Sequence, residues 1–111
     1  MNDFDRYQNE CEKLAIYPRA NNQGITYTAL KLNGEAGEVA EKIGKCIRDN
    51  NGEFTLEIKH SIAMELGDVL WYVAMLANEI GYDLSKISDL NLEKLYSRKS
   101  RNVLSGSGDN R

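Results

Sequence analysis

Leu32-Asn33-Gly34-Glu35-Ala36-Gly37-Glu38-Val39-Ala40-Glu41-Lys42 and Glu65-Leu66-Gly67-Asp68-Val69-Leu70-Trp71-Tyr72 are the two stretches on which the fold turns. Each sets two acids three residues apart, an interval that projects side chains from neighbouring points on one helix face. Around the first, Leu32, Ala36, Val39, Ala40, Ile43 and Ile47 recur at helical spacing and predict a helix from about Ile25 to Arg48. Asp49-Asn50-Asn51-Gly52 closes it with strong turn chemistry. The second stretch lies in a helix expected from Thr55, as N-cap, to Ile80, with Gly81 as the residue that ends it. Between Leu66 and Ala77 its only charge is Asp68. A helix that is apolar on every side is buried on every side.

Two more helices flank this pair. Phe4, Tyr7, Cys11 and Leu14 place the first over about Asp3 to Tyr17, after which Pro18 and the polar run Arg19–Gly24 break it. Leu84, Ile87, Leu90, Leu92 and Leu95 place the last from Asp83 or Ser85 to about Ser100. No period-two alternation of strand length occurs. Short connections between long helices imply antiparallel neighbours, so the expected fold class is all-α, a four-helix bundle-like subunit. One domain covers residues 1–104, and 105–111, with Ser105-Gly106-Ser107-Gly108, reads as a flexible tail. A chain of 111 residues can hardly cover helix three on all sides, so a homo-oligomer is expected, as a dimer or tetramer.

Composition narrows the functional classes. With 41% hydrophobic and 28% charged residues the chain is an ordinary folded domain, and its net charge of −3 argues against nucleic-acid binding by phosphate neutralisation. The charge is uneven: Lys94, Arg98, Lys99, Arg101 and Arg111 face one acid, Asp109, in the last stretch, an asymmetry that suits a small polyanion. Cys11 and Cys46 lack metal-binding spacing and read as buried free thiols of a reducing cytosol. No apolar run is long enough to span a bilayer and no signal peptide is visible. A cytoplasmic protein without membrane contact is expected.

The acids carry the chemistry. The pair on helix two lies about twelve residues before that helix ends, and the pair on helix three about eleven residues after it begins, so each stands roughly 17 Å from the shared loop. In an antiparallel hairpin Glu35, Glu38, Glu65 and Asp68 therefore come level. Glu35 and Glu65 border apolar faces, and Asp68 sits where an unpaired charge is costly. Four carboxylates at one height need added positive charge. A hard divalent cation with oxygen ligands meets that need: Mg2+, or Mn2+ as substitute. Zinc and iron are disfavoured, because His60 is the only histidine and lies outside the cluster. Magnesium so held takes further ligands from phosphates and makes a water more nucleophilic, and a carboxylate beside it can accept that water's proton.

With 26 residues between Glu38 and Glu65, and with the Asp68-Val69-Leu70-Trp71-Tyr72 continuation, the chain resembles the MazG-like nucleoside triphosphate pyrophosphohydrolases. Ala15-Ile16-Tyr17-Pro18, Asn91-Leu92-Glu93-Lys94-Leu95 and the closing Gly106-Ser107-Gly108-Asp109-Asn110-Arg111 extend the likeness over nearly the whole chain. The resemblance implies an oligomeric helical enzyme whose Glu35, Glu38, Glu65 and Asp68 bind magnesium. It implies hydrolysis of canonical or modified (d)NTPs between the α- and β-phosphates, by metal-activated water attacking the α-phosphate. The products are the monophosphate and pyrophosphate.

Lys94 and Asn91, with Arg98, Lys99 and Arg101, become candidates to grip phosphates, and Lys42 and Lys45 are further ones. Trp71 and Tyr72 could stack on a base or simply belong to the core, and Tyr27 and Asn33 are comparably open. Two other readings stand beside this one: a non-catalytic helical interaction module, and the same fold acting on an alarmone-type nucleotide.

Overall fold

The computed structural model describes all residues from Met1 to Arg111 and contains four α-helices and no strand. They are α1 (Asp3–Glu12), α2 (Gln23–Asp49), α3 (Leu56–Ile80) and α4 (Leu84–Ser100), with a short 3₁₀ turn at Ala20–Asn22 before α2. The all-α class expected from the periodicity is the fold observed.

Local chemistry sets most boundaries. The Asn2 side chain caps α1 by accepting from the Asp5 amide at 2.9 Å, and Thr55 caps α3 by accepting from Ile58 at 3.2 Å. Gly81, at φ +79°, ends α3, and the Tyr82 amide returns to the Ala77 carbonyl at 2.9 Å, which satisfies an otherwise orphaned acceptor. Helix α1 stops at Glu12 rather than running on to Tyr17. The early stop frees Tyr17 to stack on Tyr27 with ring centroids 5.0 Å apart, and Arg19 to reach both Glu12 and Glu79.

The start of α4 is capped from a distance. Asp83 makes no side-chain cap bond. Instead the Leu84 amide donates to Gln8 Oε1 at 2.8 Å, Gln8 Nε2 donates to the Tyr82 carbonyl at 2.8 Å, and the Ser85 hydroxyl donates to Asp5. Two polar residues of α1 thus take up amides that α4 cannot satisfy internally.

The α2–α3 hairpin is the main packing unit, and α1 crosses α3 on one side. The core is small: Cys11, Ala74, Met75, Ala77 and Leu84, with Tyr7, Tyr17, Trp71, Val73 and Ile87 against it. Both thiols are buried and free. The Cα radius of gyration is 16.9 Å, against about 13 Å for a compact chain of this length. The fold is open, and Leu56, Met64, Leu66, Leu92 and Tyr96 remain exposed.

Candidate active site

Helix α2 presents Glu35 and Glu38 to α3, which answers with Glu65. Oxygens of these three carboxylates all lie within 4.8 Å of one another. Oxygen ligands about 2.0–2.6 Å from a hard cation span such distances across it. The antiparallel hairpin brings three of the four acids, Glu35, Glu38 and Glu65, together.

Two atoms define the electrostatics. Glu35 Oε2 and Glu65 Oε2 are out of solvent, and neither has a hydrogen-bond donor. Buried carboxylate oxygens normally have one, so this pair leaves acceptor capacity that a cation would fill. Burial, and then the charges of Glu38, Asp68 and Glu65, push the Glu35 carboxyl above the usual range, with Lys31 opposing. Glu65 is pushed up likewise by burial and by the adjoining Glu38 carboxyl, and Lys42 offsets part of this. The donor set is oxygen only, with no histidine or thiolate near, and fits magnesium or manganese better than zinc.

Asp68 departs from expectation. It is exposed and stands outside the close group, although its charge is felt at Glu35, Glu65 and Tyr72. The apolar run around it suggested a buried carboxylate. The side chain instead reaches solvent at the edge of the face that carries Glu65 and Tyr72, one turn to either side.

Aromatic rings wall one flank. Tyr72 lies edge-on to Trp71 at 4.9 Å and tilted to Tyr27 at 6.4 Å, and Trp71 is edge-on to Tyr17 at 6.3 Å. Trp71 also packs on the core, as aromatics of buried helices commonly do. Burial, the Tyr27 hydroxyl and the nearby acids push the Tyr72 phenol up to about 12, so it stays protonated at neutral pH.

The α4 candidates are elsewhere. No hydrogen bond or ion pair joins Asn91, Lys94, Arg98, Lys99 or Arg101 to the acids. Lys94 and Arg98 each stand 3.7 Å from Asp109, and Arg98, only 4% exposed, donates to the Asp109 carbonyl. Arg111 donates to the Val103, Leu104 and Gly108 carbonyls, so residues 105–111 curl back onto α4. Arg101 is held by Ser97, and Lys99 is exposed. Asn91 and Lys94 line a groove of about 530 Å³ between the α3–α4 turn and α4, the largest on the surface and one that contains none of the acids.

The sequence reading missed Ser61, Gln8 and Glu79. Their partners lie 19 to 76 residues away in the chain, beyond any local pattern.

The acid cluster on the α2–α3 hairpin lies within the part of the chain that defines its family. Residues 23–103 match the MazG nucleotide pyrophosphohydrolase domain, and the chain belongs to that family. It is also 48% identical over 111 residues to the Gene 37 protein of Mycobacterium phage L5, covering 96% of this chain and 97% of that protein. No solved structure matches it significantly.

Proposed function

We propose that the protein hydrolyses nucleoside triphosphates, canonical or modified, to the monophosphate and pyrophosphate, with magnesium bound by Glu35, Glu38 and Glu65. The observation that carries this is the convergence of three carboxylates with two buried oxygens that lack donors. When bound, the cation would neutralise phosphate charge and polarise the scissile anhydride.

The chain's own groups supply the rest. Asp68, solvent-open and one turn beyond Glu65, would accept the proton of the water that attacks the α-phosphate, a role its exposure supports. Tyr72, protonated and near Glu35, can donate to a ligand or carboxylate but cannot act as a base at neutral pH. Lys94, Asn91, Arg98, Lys99 and Arg101 reach phosphates in this scheme only if α4 and the tail rearrange or a neighbouring subunit supplies them. A homo-oligomer is part of the proposal, supported by the open shape and the exposed apolar side chains. So is a cytoplasmic setting, supported by two buried free thiols. No helix is long and apolar enough to cross a membrane.

The test is pyrophosphate release from a panel of (d)NTPs with and without Mg2+. Release should need the cation and fall by about 10²-fold or more in Glu38→Gln and Asp68→Asn. A folded wild-type protein that releases no pyrophosphate from any (d)NTP would sink the proposal.

A further inference from the structure

One cation already stands at the acids. Lys42 is one turn beyond Glu38 on α2, and its Nζ lies 3.8 Å from Glu65 Oε1 while donating to Ser61 Oγ at 2.7 Å. It is the one positive side chain within ion-pair distance of Glu35, Glu38 or Glu65. Lys31 bears on Glu35 only through its field.

The contact is loose. At 3.8 Å the ammonium makes no hydrogen bond to Glu65, and both the lysine (37% exposed) and the glutamate (18%) reach solvent. Only the neutral hydroxyl of Ser61 holds Lys42 directly.

We propose that Lys42 is a displaceable counter-cation: it balances the acids in the metal-free protein and, once a divalent cation binds beside Glu65, turns to a phosphate oxygen of the bound polyphosphate. A divalent ion among the carboxylates would place like charge within a few ångströms of Nζ, and the two repel. The flexible four-carbon stem lets the ammonium swing away without moving the backbone. Its open side is the solvent side, from which a phosphate chain must approach the remaining coordination positions of the cation. An ammonium is a compact point charge suited to that contact.

The consequence has two opposite signs. Lys42 competes with the metal, so removing its charge tightens metal binding. It also binds the polyphosphate, so the same change weakens anion binding. A lysine whose charge is screened by solvent from both ligands, and which only clips α2 to α3 through Ser61, cannot produce that inversion. The second sign rests on the function proposed above, whereas the first needs only the acid cluster.

The test uses the full chain stripped of metal. Mn2+ is titrated and followed by electron paramagnetic resonance, and inorganic triphosphate is then titrated calorimetrically into the Mn2+-loaded protein. Lys42→Met should bind Mn2+ about three- to tenfold more tightly and triphosphate about tenfold more weakly. Ser61→Ala, which loosens the lysine but keeps its charge, should retain wild-type triphosphate affinity. Unchanged or weaker Mn2+ binding by Lys42→Met, with Mn2+ bound normally by the wild type, overturns the proposal. Failure of the wild type to bind Mn2+ at all defeats instead the metal reading of the acids. Should Lys42→Met not fold, Lys42→Gln replaces it and must show the same pair of opposed shifts.

Discussion

Glu35 and Glu65 are carboxyls whose ionised form the fold disfavours: each keeps one oxygen from both water and donors. Glu35→Gln removes a charge that burial and its three acidic neighbours oppose. We expect this variant to melt about 2–4 °C higher than wild type in the presence of a chelator, and to lose pyrophosphate release. Asp68→Asn should lose activity without that gain, since Asp68 is exposed. Melting curves with EDTA separate the two, and equal melting shifts would contradict the different burial of the two acids.

At the scale of elements, the joint between α1, α2 and α3 depends on Arg19. It pairs with Glu12 at the end of α1 and with Glu79, 9% exposed, on α3, donating to the latter from Nε at 2.9 Å. Asn78 adds a bond to Glu12 at 2.9 Å. Arg19→Met strands a buried carboxylate and should destabilise by about 1–2 kcal/mol in denaturant unfolding, less than a fully buried pair because Arg19 is partly exposed. The Arg19 hydrogen bonds hold the Glu12 carboxyl below its usual range, against the effect of burial. A lowered folded pKa means stability that is present above the ordinary value and lost as pH falls through the lowered one. Melting temperature should therefore drop below about pH 4.5, and Arg19→Met should flatten the drop. Gly24 belongs to the same joint: a Cβ there would overlap the Glu79 carboxylate. Gly24→Ala should cost stability despite its better helix propensity.

The whole molecule is open for a chain of its length. A radius of gyration of 16.9 Å and a core of few residues leave Leu30, Leu66, Leu92, Leu95 and Tyr96 in water. Burying apolar area is the main force favouring folding, so these faces call for a cover, and a second copy is the simplest. Light scattering after size exclusion should give at least a dimer, and Leu92→Glu combined with Leu95→Glu should shift it toward monomer. A wild-type monomer at micromolar concentration would remove this expectation.

Helix number, the hairpin and the level of the acids were legible in the residue order, because helical period, caps and rise per residue are local properties. Thr55, Gly81 and the placement of Glu35, Glu38 and Glu65 along their helices carried that information by themselves. Only the tertiary structure decided that Asp68 stays in solvent, that Arg98 is buried against the tail and that Lys42 and Ser61 stand beside Glu65. It alone decided that α1 stops early so Tyr17 and Arg19 can reach α3, and that Gln8 caps a helix 76 residues on. Such partnerships depend on which helix faces remain uncovered and on where side chains meet across the packed bundle. No local period encodes them.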